Sequence, residues 1–527
     1  GVGGNVELSG AKLALGGIAT VGQGGTVLFD PVSFVVDAAE ATTIVSSLAG
    51  GGTVIVQAEE SITVNAAIVS SAQGNAATLH FRDEGGAAGL TVNLNAQITL
   101  GANQSLTGEA TAVNVASTAS IQDGIDVSAA GATVTVADGT YVENVRIDRS
   151  LTLLSQNGRD ATTIQGISGV GALGTVLVAS NVNDVTIGAE NYGFTIVGID
   201  NDNPGIENAA VYLQGNKANI EIVGNDIVAN GDLGLVSEYG ATVSNIVVDR
   251  NIFSGQTFTG TPALGDQFTV PNVPRQVAVL SGPNTSNITF TNNQITATAG
   301  GYTAGGDASG NTLVTIDANG AIITGNAFEG TTTRFGYSLR ARGTNTVISG
   351  NTFHAAGLSD TAGHLFVNET IYAGTALDNI VDVFNANTFI GRATVTSADL
   401  DAVSDRIGLT IQGAINASQS GATVYANAAT YAENLLINKA VNLSGDTDGL
   451  GNATTILAPN SGTGLRIDGT GSFAPIDSVT IENIVFQGNN ILGSGTGYGI
   501  WVDASAVFNS LTVRNASFSG WVTNAYY

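Results

Sequence analysis

The sequence predicts an all-β chain wound as a right-handed parallel β-helix (a β-solenoid), in tandem segments with short capping helices. Three observations carry that expectation. Val, Ile, Thr, Asn and Gly dominate the 527 residues, with 70 Gly, no Met and only 16 Lys and Arg; this is the vocabulary of strands and tight turns. Short runs such as Ser61-Ile62-Thr63-Val64-Asn65 and Leu90-Thr91-Val92-Asn93-Leu94-Asn95 put apolar side chains on one face and Thr or Asn on the other. Similar segments then recur at the spacing of a solenoid coil.

Residues 1–112 are rich in Gly and Ala and read as a first β-solenoid segment. They carry GGTVLFDPVSFVV from Gly24 and GGTVIVQAEESITVNAAI from Gly51.

Residues 113–395 form the second expected segment, and here the repeat is explicit. Asn225, Asn251, Asn293, Asn326 and Asn351 share one frame, preceded three residues earlier by Ile222, Val248, Phe290, Ile323 and Ile348. Two residues after each Asn stand Ile227, Phe253, Ile295, Phe328 and Phe353. Asn387 continues the series between Phe384 and Phe389, and Gly224, Gly325 and Gly350 directly precede three of the anchors. The anchors lie 26, 42, 33, 25 and 36 residues apart, which suits one coil plus variable loops. Inward Ile and Phe should stack, and Asn at one corner should form a side-chain ladder while tolerating the left-handed backbone that the corner needs.

Residues 396–527 read as a shorter β-helix, because a block is duplicated. IQDGIDVSAAGATVTVADGTYVENVRID at 121–148 returns as IQGAINASQSGATVYANAATYAENLLIN at 411–438, offset by 290 throughout. Each copy opens with a short amphipathic stretch, Ile121–Ser128 and Ile411–Ser418, expected to be a helix that covers the open end of a β-helix.

Composition excludes several functions. With 43 Asp and Glu against 16 Lys and Arg, a net charge of −27 and no basic run, the chain is unsuited to nucleic acid or an anionic bilayer. No Cys is present, so disulfides, thiol nucleophiles and thiolate metal sites are absent. No apolar run approaches the length of a membrane helix, so membrane insertion by this segment is not expected. The start at Gly-Val-Gly-Gly rather than Met reads as a processed product or a fragment.

Two resemblances follow from the motifs. GATVTVADGTYVENVRIDRSLTLLSQNGRDATTIQG, from Gly131, resembles the first coils of pectin-lyase-like right-handed β-helix domains, which begin with a helix, a GTY-x-E coil and an sLTLlg coil. The second copy departs from it, with Asn427-Ala428-Ala429 in place of Ala137-Asp138-Gly139. Gly24–Pro31 together with Ser61–Ile68 resembles the filamentous-haemagglutinin type of bacterial surface exoprotein. The first resemblance implies a fold that hosts lyases, hydrolases, epimerases and adhesins alike; the second implies an extracellular setting on the bacterial cell surface.

Lyases of the resembling fold use an Arg or Lys base beside a carboxylate-bound calcium, and hydrolases use paired Asp; no position here matches an Asp-Asp or Gly-His-Gly signature. The densest ionisable stretch is Arg340, Arg342, His354, Asp360 and His364, which holds cation, acid and base within about one coil. It reads either as a catalytic group or as solvated loop residues around the Asn351 turn. Asp200, Asp202 and Glu207, and separately Asp446 and Asp448, offer hard oxygen ligands for calcium, or else form polar turns.

The sequence therefore points to an extracellular structural or adhesive β-helix, a subunit or stalk of a surface fibre, sheath or adhesin. Self-association into filaments and contact with surface glycans are the expected partnerships. The alternatives are a lyase, hydrolase or epimerase acting on acidic glycans, and a glycan-binding adhesin without catalysis.

Overall fold

The computed structural model describes residues 3–15, 19–71, 75–86, 88–169, 171–199, 208–230, 233–255, 276–296, 298–299, 313–329, 331–332, 337–354, 363–367, 386–390, 395–397, 405–407, 411–412, 415, 420–421, 423–426, 428–447, 451, 453–459, 462–468, 476–488, 497–521 and 524–526. They fold as parallel β-helix, in two compact units, Gly1–Ser254 and Gly255–Tyr527. Among them, no helix is long and apolar enough to cross a membrane.

In the first unit, alternation along each strand decides which side chains meet inside. Thr53–Ala58 buries Val54, Val56 and Ala58 and turns Thr53, Ile55 and Gln57 outward. Its neighbours Thr26–Asp30 and Ala77–Asp83 lie parallel and in register, so that Phe29, Val56 and Phe81 stack. All three are fully buried, each contributing roughly 1.5–3 kcal/mol through removal from water. A second sheet stacks Val36, Val64, Leu94, Val115 and Val136 in the same way. A third aligns Tyr141, Ile164, Ile196 and Ile227.

Among the described residues, two helices interrupt these coils. The helix Ala38–Ala49 (α1) is capped by Asp37, whose carboxylate accepts the Ala39 N–H at 2.8 Å, and it buries Ile44 and Leu48. The helix Ile121–Asp126 (α2) stops two residues before its expected end, and Ser128 already begins the strand Ser128–Val136. It does not cover an open end. The preceding strand Ala110–Val115 pairs in parallel both with Thr91–Leu94 and with Ser128–Val136, so the stack runs through the helix position. The reason is packing: Ile121 and Ile125 fill the interior, and a Cβ at Gly124 would stand 2.6 Å from the Val115 side chain.

In the second unit, Gln276–Thr291, Val314–Asn319, Tyr337–Arg342 and Gly363–Val367 stack in parallel. Asp405–Ile407 then pairs antiparallel with Gly363–Val367. Val395–Ser397 pairs antiparallel with Thr423–Ala426, the first strand of three further parallel sheets. These surround a core of Val424, Tyr431, Leu443, Ile456, Ile467, Ile481 and Phe486. Of the second expected helix, Ile411, Gln412 and Ile415 are helical, with both isoleucines buried.

Within each unit, corner Asn side chains hydrogen-bond from coil to coil. The Asn225 side-chain amide donates to Asn251 Oδ1 at 3.2 Å. In the second unit Asn293 donates to Asn326, Asn326 to Asn351 and Asn351 to Asn387, at 3.0, 2.8 and 2.8 Å. Phe328 and Phe353 stack beside it with centroids 4.7 Å apart. One detail is corrected: the ladder Asn residues are not the left-handed ones. Positive φ falls on the residue before them, Gly224, Gly325 and Gly350, and where Gly is missing, Arg250 at 56° and Asn292 at 54°.

Candidate functional site

A cleft opens on the first unit. It has a volume of about 390 Å³ and is lined by Asn157, Gly158, Arg159, Asp160, Glu190, Asn191, Gly224 and Arg250. No lining side chain is apolar, so the cleft suits a ligand rich in hydroxyl and charged groups rather than a lipid.

Successive coils bring these residues together. The turn at 155–161 is fixed by Ser155, whose Oγ accepts the Gly158 N–H at 2.9 Å and donates to the Gly193 carbonyl at 2.6 Å. The Arg159 carbonyl is held by Thr195 Oγ1 at 3.0 Å. On the next coil Asn191 takes φ 117°, and on the coil after that Gly224 takes φ 71°. A Cβ at Gly224 would lie 2.3 Å from the Ala189 carbonyl, so only Gly allows these turns to close together.

Arg250 completes the wall. It occupies the corner position that Gly fills elsewhere, at φ 56°. A bulky side chain in that region costs of order 1 kcal/mol or more and tends to mark function. Its guanidinium pairs with Asp249 at 2.8 Å and reaches Glu190 at 3.8 Å. Arg159 differs. Its Nη1 donates only to the carbonyls of Gly224 and Arg250, at 3.4 and 3.3 Å, and no described carboxylate lies within ion-pair distance. It is the cation left available to an incoming anion.

Asp226 stands near this group, in register with Thr195 on the same sheet. Burial pushes its carboxyl upward, opposed by a hydrogen bond from Ser254 Oγ at 2.8 Å and by the charge of Arg159. Asp226 is not among the residues that line the cleft; it stands within the charge field of Arg159 and Asp160.

The ionisable stretch singled out in the sequence is arranged differently from a loop cluster. Arg340 and Arg342 lie in the strand Tyr337–Arg342, and His364 in its parallel neighbour Gly363–Val367. The register puts Phe366, not His364, opposite Arg340, and His354, in Thr352–His354, belongs to a different sheet from both. Nor is Arg340 a solvated loop residue: it is 8% exposed and its Nη2 meets Asp317 Oδ2 at 3.1 Å. Asp360 and the side chains of Arg342, His354 and His364 lie outside the described residues.

Of the calcium candidates, Asp200, Asp202, Glu207 and Asp448 lie outside the described residues. Asp446 forms a polar turn, its Oδ1 accepting the Thr447 N–H at 2.7 Å. Among the described residues no group of three or more His, Asp or Glu is placed to hold a metal ion.

The sequence reading missed Arg159 and Arg250. The signal available was Arg250 itself, which breaks the Gly-Asn corner frame.

No protein-family model matches the chain, and no curated protein does. Two solved structures are similar in arrangement. The A-module of the mannuronan C-5 epimerase AlgE4 from Azotobacter vinelandii aligns at 11% identity and a TM-score of 0.23, over 75% of this chain and 89% of that one. A point mutant of the alginate lyase AlyGC, of family PL6, aligns at 10% identity and a TM-score of 0.17, over 92% and 76%. At these scores the likeness bears on neither the site nor the activity; the fold stands on the strand pairing above.

Proposed function

We propose that the protein is an adhesive β-helix that holds an acidic glycan in the cleft of its first unit. The observation that supports this most is Arg159: a partly buried guanidinium without a carboxylate partner among the described residues, in a wholly polar cleft of a chain whose acids outnumber its bases 43 to 16. A uronate carboxylate fits such a guanidinium in a bidentate fork. The side-chain amides of Asn157 and Asn191 and the carboxylates of Asp160 and Glu190 offer partners for sugar hydroxyls. The support for an extracellular bacterial-surface setting, and for self-association into filaments, is the resemblance of Gly24–Pro31 and Ser61–Ile68 to surface exoproteins.

The test is calorimetric titration with oligouronates. Arg159→Ala should weaken binding at least tenfold while thermal unfolding is unchanged; equal affinity in wild type and variant would remove the reading.

A further inference from the structure

The second unit carries a different polar and aromatic group, on the outer face of its later coils. Leu465–Ile467 and Tyr498–Val502 are parallel neighbours, with Arg466 in register with Trp501. Leu465, Ile467 and Ile500 point inward and are buried, so alternation turns Arg466 and Trp501 outward. The Arg466 guanidinium carbon lies 5.4 Å from the Trp501 ring centroid, a cation–π arrangement. Tyr498 meets the same indole with centroids 5.6 Å apart, tilted by 50°.

The guanidinium is clamped. Arg466 Nη2 meets Asp468 Oδ2 at 2.9 Å and Asp503 Oδ2 at 3.1 Å. Ser505 ties the carboxylates together, its Oγ donating to Asp503 Oδ1 at 2.9 Å and to Asp468 Oδ1 at 3.3 Å. The Ser505 N–H also donates to Asp503 Oδ1 at 3.0 Å. A partly exposed indole is thus held by a rigid polar frame, and Arg466 Nη1 keeps a donor without a partner among the described residues.

We propose that Trp501, with Tyr498, Arg466 and Asp503, is a stacking subsite for a neutral hexopyranose. The C–H face of a pyranose is apolar and slightly positive, and packs on an indole as other apolar surface does. Its ring hydroxyls would donate to Asp503 and accept from Arg466 Nη1. Here the guanidinium is already paired with two carboxylates, which disfavours a uronate; Arg159, with no described carboxylate within ion-pair distance, differs in that respect. The subsite does not depend on the Arg159 reading.

The test uses the full chain on immobilised neutral hexose oligosaccharides and, in parallel, on oligouronates. Wild type should retain at least one neutral glycan. Trp501→Ala should weaken that retention at least tenfold, Trp501→Phe by less, and Arg159→Ala not at all. The fluorescence of partly buried Trp521, whose Nε1 donates to the Phe486 carbonyl at 3.4 Å, reports whether the Trp501 variants are folded, and thermal unfolding does so for Arg159→Ala. If no neutral glycan is retained, or if Trp501→Ala binds as wild type does, the proposal is overturned. Neutral binding that needs Trp501, alongside oligouronate binding that is absent, would sustain this site and remove the acidic-glycan reading.

Discussion

The carboxylate of Glu143 reaches back one coil to accept the backbone N–H of Ile121 at 2.8 Å, and with its other oxygen takes the Gln122 N–H at 3.0 Å. Two hundred and ninety residues on, Glu433 does the same for Ile411 and Gln412, both at 3.0 Å. The neighbouring pair is duplicated too: Gln122 exchanges hydrogen bonds with the backbone of Arg146, and Gln412 with that of Leu436. The repeated Tyr-x-Glu-Asn motif is therefore a helix N-terminal cap supplied from the next coil. Its Glu satisfies N–H groups that the first turn leaves without helical partners.

Replacing either cap should destabilise its own unit. Glu143→Ala is expected to cost about 1–2 kcal/mol, seen as a lower urea midpoint, while Glu143→Gln, which keeps an acceptor, costs less. Equal stability of Glu143→Ala and wild type would contradict this role.

Asp123, inside the same helix, makes stability depend on pH. Burial raises its carboxyl to about 7, against an opposing hydrogen bond from the Ile98 N–H at 3.0 Å. A folded-state value above the unfolded one means the native state binds the extra proton. The contribution is full below pH 4 and is lost as pH rises toward 7, on the order of 1–4 kcal/mol. Asp123→Asn should flatten stability across that window, checked by urea unfolding at pH 4.5, 6 and 7.5.

The ladder should be sensitive at its middle. Asn326 accepts from the Asn293 N–H at 2.9 Å and from its side-chain amide at 3.0 Å, and donates to the Phe290 carbonyl and to Asn351. Asn326→Ala strands several buried polar groups and should cost about 2–4 kcal/mol. Thermal unfolding of this variant gives the comparison.

Arg250→Gly separates stability from function. It places Gly where φ is 56°, relieving roughly 1 kcal/mol of backbone strain, and removes a wall of the cleft. The variant should unfold at a higher temperature than wild type and bind oligouronate more weakly.

The coil frame was legible because burial repeats: Phe328 and Phe353 stack in register and their Asn neighbours bond coil to coil. The α1 helix was written as Asp37-Ala38-Ala39-Glu40, a capping pattern before an apolar run, but lay hidden in a stretch rich in β-branched residues. The cleft was not legible. Arg159, Glu190 and Arg250 are far apart in sequence, and although Arg250 breaks the Gly-Asn frame, only coil register brings the three to one wall. Arg340 was singled out for its charge, yet its surroundings, a strand position paired to Asp317, depend on sheet register.

The most direct test of the central claim compares two ligands on unaltered protein: an oligouronate, and the same oligosaccharide with its carboxylates reduced to alcohols. If Arg159 receives a sugar carboxylate, the oligouronate should bind at least tenfold more tightly at low ionic strength, with the advantage shrinking as salt is added. Equal affinity for the two, or binding of neither, would contradict the account.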